Sequence, residues 1–257
     1  MDTSPPEPEA SRWFFVHVQK TAGTSLVIRL GNQFAPSEIY PDDSDGDVFG
    51  EMPQFDIPQL EARWAARASE IRVVTGHFPL CTTELLGGGF TTFTVLREPV
   101  ERTLSYLRHH RKVLKESRQL SLEEIYEDPL RFHGLVHNHM VKMFSLTLDE
   151  MIGGAMTMVD FDPSHLERAQ RGLASVDVVG LQEDFEPFVA ELERRFGWDL
   201  GPPVRANHTD PADVDDALRE RIAADNALDV ELYQYARRLV AERAAPSSTG
   251  ESDPVAP

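Results

Sequence analysis

A strand that runs through a turn of small residues directly into a helix is the feature that most constrains this fold. Residues 13–18 are apolar and rich in aromatic and β-branched side chains, which predicts a buried strand. Apolar positions at helical spacing resume at residues 26–30. A turn of this kind directs backbone N–H groups inward, and the helix N-terminus adds partial positive charge. We therefore predict an anion-binding turn in which Lys20 supplies an ammonium group and Thr24 and Ser25 supply hydroxyls. An ordinary turn capped by Thr24 or Ser25 is the alternative.

Strands and helices alternate along the rest of the chain. Further strands are predicted at residues 71–75, 91–96 and 176–181. Helices are predicted at residues 99–116, 121–127, 164–174, 185–196, 212–224 and 227–243. This alternation predicts an α/β fold with a mainly parallel sheet covered by helices on both faces. A length of 257 residues suits one domain.

We place that domain at residues 12–243, between disordered tails at residues 1–11 and 244–257 that are rich in Pro, Ser, Gly and acidic residues. Residues 35–60 have the composition of a loop, and a loop of this length in a compact domain is often a binding lid. The acidic residues within it do not match the register of an EF-hand, so we predict a solvated loop rather than a calcium site. They are Asp42, Asp43, Asp45 and Asp47.

Charge and cysteine content exclude several classes of partner. A net charge of −18 argues against binding to nucleic acid or to an anionic membrane surface. Cys81 is the only cysteine, so the chain forms no internal disulfide, and a small buried residue is the favoured interpretation over a nucleophile. The N-terminus lacks an apolar signal region, and no run is long enough to span a membrane, which predicts a cytoplasmic protein.

A second polar motif follows the strand at residues 91–96. Arg97 stands at the carboxyl end of that strand, and Pro99 occupies an expected first helical position. Ser105 lies about two helical turns further on. An arginine in this place can bind a phosphate through two N–H groups, and a serine at this offset can donate beside it. A structural ion pair is the alternative role for Arg97.

Between the two motifs, His77 follows a strand and the glycine at position 76. Ligands of α/β folds bind where strands end, so this histidine is a candidate general base in a cleft. A structural histidine is the alternative. His17, inside the first strand, is predicted to be structural, whereas His109 and His110 are candidates for contact with a substrate. No set of cysteine and histidine residues has the spacing of a zinc site.

The two motifs together resemble those of sulfotransferases that use 3′-phosphoadenosine 5′-phosphosulfate (PAPS). Residues 15–25 are similar to the phosphosulfate loop F-x-H-x-P-K-T-G-G-T-S of the carbohydrate type, with Gln19 in place of proline and Ala22 in place of the first glycine. The Gln-Lys-Thr variant resembles the heparan sulfate 6-O-sulfotransferases. Residues 97–106 resemble the 3′-phosphate motif, and residues 178–185 and 226–233 resemble later segments of the family. The lysine precedes the glycine, unlike in a Walker A loop.

The resemblance implies a P-loop-like three-layer sandwich and a soluble enzyme of the bacterial style. It implies that the backbone of residues 21–25 (Thr21, Ala22, Gly23, Thr24 and Ser25) holds the 5′-phosphate, with Lys20 at the bridging oxygen. Arg97 and Ser105 then bind the 3′-phosphate, Arg102 supports them, and His77 is the base. No metal is implied, and the product is 3′,5′-ADP.

The acceptor implied by the resemblance is a hydroxyl of a sugar, lipid or other small molecule. The negative charge of the chain favours a neutral or cationic acceptor over a sulfated polymer. A P-loop kinase of small molecules and a non-catalytic nucleotide-binding protein are the rival hypotheses. Nothing in the sequence indicates an oligomeric state.

Overall fold

Five parallel strands form a single sheet at the centre of the molecule. The structure is a computed structural model that describes residues 11–46, 52–151, 153–204 and 215–245. The strands are β1 Arg12–Val16, β2 Ile39–Tyr40, β3 Val73–Val74, β4 Phe90–Leu96 and β5 Val178–Leu181. Their order in the sheet is β2-β3-β1-β4-β5, and every neighbouring pair is parallel. The predicted α/β fold with a parallel sheet is confirmed.

Helices connect the strands and flank both faces of the sheet. They are α1 Gly23–Gln33, α2 Ile57–Arg67, α3 Thr82–Leu85, α4 Pro99–Val113, α5 Leu122–Tyr126, α6 Pro129–Arg131, α7 His139–Ser145, α8 Pro163–Ser175, α9 Phe185–Phe196, α10 Asp216–Asp225 and α11 Ala227–Ala244. Within the described ranges, none of these helices has both the length and the apolar character needed to cross a bilayer. The predicted tails lie almost wholly in residues 1–10 and 246–257, outside the described residues.

Alternate residues of the central strand enter two different apolar cores, which makes the domain three-layered. Phe14 and Val16 pack in one core, whereas Trp13 and Phe15 pack in the other. This division follows from the strand geometry, in which successive side chains point to opposite faces. A strand buried on both faces has to be apolar throughout, and this accounts for the unbroken apolar run that identified β1 in the sequence.

The prediction of a loop at residues 35–60 is wrong at both of its ends. Strand β2 pairs with β3 at the edge of the sheet, and α2 begins within the segment, where the Asp56 carboxylate accepts the backbone N–H of Gln59 at 2.9 Å. A strand of two residues has no periodicity to detect, so sequence patterning does not reveal it.

The acidic cluster is also not simply solvated. Asp45 is fully buried and pairs with Arg67 at 2.5 Å, and Asp42 pairs with the same guanidinium at 3.2 Å. Arg67 lies in α2, so these carboxylates join the segment after β2 to that helix. Asp47 lies outside the described residues.

A buried polar contact joins the C-terminal helix to the middle of the chain. The Asp229 carboxylate accepts the backbone N–H groups of Met140 and Val141 at 3.1 and 2.8 Å, and so holds the first turn of α7. The Asn226 side chain accepts the backbone N–H of Asn138, and the Asn138 side chain accepts the backbone N–H of Asp229. The 226–233 segment, which resembles the family pattern, therefore anchors α7 to the sheet.

We expect that replacing Asp229 by alanine lowers the free energy of unfolding by about 3–5 kcal/mol, because it leaves buried N–H groups without an acceptor and removes the charge that faces buried Arg102. Urea denaturation followed by circular dichroism measures this change. Glu231→Ala, at an exposed position of the same helix, is the matched control and should stay within about 0.5 kcal/mol of the parent. Equal effects of the two substitutions would contradict the assigned contact.

Candidate active site

Three of the sequence-predicted groups converge at the carboxyl edge of the sheet. Strands β3, β1 and β4 are immediate neighbours, and each runs in the same direction. The turn that carries Lys20 follows β1, His77 follows β3, and Arg97 follows β4. Parallel neighbours place these three segments side by side, at the edge where α/β folds bind ligands.

The turn after β1 has an unusual backbone. Lys20 and Ala22 both adopt left-handed conformations, with φ of 67° and 75°. A residue with a Cβ has an energetic cost of about 1–2 kcal/mol in this region, and such strain concentrates at functional sites. The alternation of left-handed residues with ordinary ones makes a concave turn whose N–H groups face a common centre.

That turn leaves donors open. None of the hydrogen bonds between described residues uses the backbone N–H groups of residues 20–24. The first hydrogen bond of α1 is made at the next residue, where the N–H of Ser25 donates to the carbonyl of Ala22 at 3.0 Å. The hydroxyl of Thr21 donates inward to the carbonyl of Val18 at 2.8 Å, whereas Thr24 is exposed. The site can therefore accept an anion through main-chain donors and Thr24, and the Thr21 hydroxyl braces the turn.

Close packing of Gly23 on His17 connects the turn to His77. A Cβ on Gly23 would lie 1.9 Å from Nε2 of His17, so only glycine lets the helix start this close to the imidazole. His17 is buried and its Nδ1 donates to the carbonyl of Thr75 at 3.0 Å. Its ring also packs on the ring of His77, with centroids 4.1 Å apart. The predicted structural role of His17 thus becomes specific: it packs between the anion-binding turn and the candidate base.

His77 is held in one tautomer. Its Nδ1 lies 2.7 Å from the carbonyl oxygen of His17, and because a carbonyl only accepts, neutral His77 carries its proton there and keeps a lone pair on Nε2. Burial, together with the charge of Lys20, lowers the pKa of His77 to about 4. The imidazole is neutral at physiological pH, which is the state that a base requires.

Positive groups gather around this turn although the chain as a whole is strongly acidic. Burial and the neighbouring charge of Arg97 lower the pKa of Lys20 to about 8. Burial and Arg108 lower the pKa of Arg97, partly offset by Glu101. One Nη of Arg97 donates to the carbonyl of Lys20 at 3.4 Å, and its buried Nε has no acceptor among the described residues. Like charges held together in this way predict an anionic ligand.

The two histidines of α4 have different surroundings. Burial and the charge of Lys20 lower the pKa of the half-buried His109 to about 4. His110 is buried against Tyr106, and burial and the charge of Arg131 lower its pKa. Of the two histidines, His109 is therefore the one on which the charge of Lys20 acts. Ser105, one turn before it, is buried on the same helix.

Two other residues singled out in the sequence lie in the interior. Arg102 is fully buried and donates to the carbonyls of Leu135 and Val136, so it secures the segment before α7 rather than reaching the turn. Cys81 is buried, and burial raises the pKa of its thiol to about 12. The thiolate does not form near neutral pH, which excludes the nucleophile interpretation.

Sequence reasoning missed the residues that cover His77. The backbone N–H of His77 donates to the carbonyl of Gln54 at 2.7 Å, and the ring of Phe55 lies 4.9 Å from the imidazole. These contacts come from residues 35–60, the segment whose length suggested a binding lid, but no motif marked Gln54 or Phe55 within it. A separate cleft, lined by residues such as Phe90, Phe144 and Asp177, opens at the opposite, amino edge of the sheet and contains none of the candidate site residues.

Comparisons with known proteins leave the family open. No protein-family model matches the chain, and no curated protein matches it. Among solved structures, a sulfotransferase from Alicyclobacillus acidocaldarius is similar, with 18% sequence identity over 88% of this chain and 95% of that chain. The TM-score is 0.47, a likeness too weak to decide the activity of this chain.

We expect opposite effects on stability from two neighbouring substitutions in the turn. Gly23→Ala places a methyl group against the His17 imidazole and should lower the melting temperature by several degrees. Ala22→Gly relieves the left-handed strain at φ 75° and should leave the melting temperature unchanged or raise it. Differential scanning fluorimetry of the ligand-free protein compares them, and a Gly23→Ala variant as stable as the parent would contradict the packing described.

Proposed function

We propose that the protein is a sulfotransferase that moves a sulfuryl group from PAPS to a hydroxyl acceptor. The observation that carries this proposal is the placement of Lys20 and Arg97 around a turn with open N–H donors, beside a neutral histidine. A donor with phosphates at both the 3′ and 5′ positions would satisfy both groups of cations. The motifs of residues 15–25 and 97–106 point to the same donor.

Each residue has a role in holding the donor. The N–H groups of residues 20–24 and the Thr24 hydroxyl bind the 5′-phosphosulfate at the start of α1. Arg97, whose Nε is without an acceptor among the described residues, and Ser105 bind the 3′-phosphate. The carbonyl of Lys20 accepts from Arg97, so the two ends of the nucleotide site are mechanically joined.

PAPS supplies the sulfuryl group, and the protein positions it for attack. Nε2 of His77 takes the proton of the acceptor hydroxyl as the acceptor oxygen bonds to sulfur. The bond between sulfur and the 5′-phosphate oxygen breaks at the same time, and Lys20 stabilises the charge on that departing oxygen. 3′,5′-ADP leaves with the electron pair of the broken bond.

Binding of an anion also changes the pKa of His77. The charge of Lys20 contributes to the low pKa of His77, and a bound phosphate neutralises that charge. Binding of the donor therefore raises the pKa of His77 from about 4 towards its ordinary value and makes the imidazole a stronger base. The same anion raises the pKa of Lys20 from about 8 and keeps the ammonium protonated.

We expect purified protein to bind 3′,5′-ADP more tightly than ATP with Mg²⁺ in isothermal titration calorimetry. Arg97→Ala should weaken 3′,5′-ADP binding about tenfold to hundredfold, the worth of a lost charge-assisted hydrogen bond. Arg194→Ala, which removes an exposed arginine of α9, is the control and should bind as the parent does. Tighter binding of ATP with Mg²⁺ would favour the kinase hypothesis instead.

His77→Ala should lower the turnover number by about 10²–10⁴-fold while 3′,5′-ADP binding stays close to that of the parent. Release of 3′,5′-ADP from PAPS measures this without knowledge of the acceptor, because water serves as a slow one. Loss of nucleotide affinity and turnover together would assign His77 to binding. Retention of both would exclude His77 as the base, and an absence of turnover in the parent protein would support the non-catalytic hypothesis.

The pH profile follows from the two shifted groups. We expect kcat/KM to rise as free His77 loses its proton near pH 4 and to fall as free Lys20 loses its proton near pH 8. Lys20→Arg should abolish the alkaline fall, because arginine does not titrate there. Both limbs of kcat should lie at higher pH than those of kcat/KM, since the bound anion raises both pKa values.

A further inference from the structure

The side of His77 away from the anion-binding turn is covered by two loops in mutual contact. The first, residues 52–57, supplies the carbonyl of Gln54 and the ring of Phe55 to His77. The second, residues 153–158, presses against it, since a Cβ on Gly154 would lie 3.0 Å from the carbonyl oxygen of Phe55. We call these two loops the acceptor wall, because the first lies against the imidazole of His77 and the second lies against the first.

The acceptor wall carries exposed apolar side chains. Met52 is 49% exposed and Met158 is 58% exposed, at the outer ends of the two loops. Large apolar side chains that are exposed to water on two contacting loops are unfavourably hydrated, and a ligand or partner that covers them removes this unfavourable free energy. Methionine is flexible and polarizable, and it adapts to apolar surfaces of irregular shape.

The acceptor wall also lacks positive charge. Residues 41–62 and 146–163, which contain both loops and their flanks, include many aspartates and glutamates but no lysine or arginine. Lys20 is the cation whose charge lowers the pKa of His77. Lys142 donates to the carbonyl of Thr157 in the second loop at 3.0 Å, but it is fully buried and so is not presented at the surface. Some of the flanking carboxylates are already paired, Asp45 with Arg67 and Glu150 with Arg168. A polyanion that lay along the wall would still find no lysine or arginine on either loop to bind its charges.

We infer that the acceptor is a small uncharged alcohol with an apolar body, which packs on Phe55, Met52 and Met158 while its hydroxyl reaches His77. This inference rests on the proposed function and specifies its acceptor. It also separates this chain from sulfotransferases of sulfated polysaccharides, which its motifs resemble. The apolar part of the acceptor supplies affinity through burial, and the hydroxyl alone takes part in the transfer.

A matched pair of glucosides tests this inference. Methyl and octyl β-D-glucoside have the same hydroxyls and differ only in the apolar chain, and the polysaccharide heparosan provides an anionic acceptor. With labelled PAPS, and with octyl glucoside kept below its micelle concentration, we expect kcat/KM for octyl glucoside to exceed that for methyl glucoside by about tenfold or more. We expect no transfer to heparosan above the background.

Every other result overturns the inference. Equal use of the two glucosides, preference for heparosan, or no transfer to any of the three by protein that binds 3′,5′-ADP contradicts an apolar acceptor but leaves the nucleotide assignment standing. Failure of the parent protein to bind 3′,5′-ADP contradicts the proposed function itself. The calorimetric titration is therefore made first, on the same preparation.

Substitutions of exposed side chains test the acceptor wall without disturbing the folded core. Met52→Ser and Met158→Ser change exposed side chains and should reduce the preference for octyl over methyl glucoside about threefold or more each, without a change in 3′,5′-ADP affinity. Ile28→Ser is the matched control, because Ile28 is 50% exposed but lies on α1 away from the acceptor wall. A loss of preference in the control equal to that in the methionine variants would show that general surface hydrophobicity, and not the acceptor wall, is responsible.

Discussion

The hydrogen bond from Nδ1 of His77 to the carbonyl of His17 joins the two halves of the candidate site. Its length is 2.7 Å, and it selects the tautomer that leaves Nε2 of His77 as an acceptor of protons. The same His17 packs against Gly23, at the start of the helix that completes the anion-binding turn. His17, just after β1, thus sets the distance between the turn and His77, and in the proposed function this distance matters because in-line transfer tolerates little displacement.

The cations beside the turn contrast with the acidic character of the chain as a whole. The chain carries a net charge of −18, yet the charge of Arg97 helps to lower the pKa of Lys20, and the charge of Arg108 helps to lower the pKa of Arg97. An arrangement of this kind is unfavourable in the empty protein and becomes favourable when an anion neutralises it. In the proposed function, a doubly phosphorylated nucleotide would bind on the cationic side of His77, and the proposed uncharged alcohol would bind at the acceptor wall, whose loops carry no lysine or arginine.

Strands and helices were predicted correctly from sequence where the pattern of apolar residues within the segment itself reflects how that segment is buried. The strand at residues 13–18 was visible because a strand buried on both faces is apolar throughout, and the helix at residues 185–196 was visible from its period. Prediction failed at β2, which is too short to show a period, and at α7, whose seven residues are held by Asp229 from the far end of the chain. Asp45 was also predicted to be solvated, because no pattern in the nearby sequence indicates that it pairs with Arg67.

The α/β class, the turn of small residues after β1 and the polar groups at strand ends could be predicted from sequence, because each of these depends on residues that are neighbours in the chain. Only the tertiary structure shows that His17 packs between His77 and Gly23, that Arg102 faces the interior, and that residues 52–57 lie against His77. Those outcomes depend on which strands lie side by side and on which side chains lose their water. Both are properties of the packed sheet rather than of any single segment.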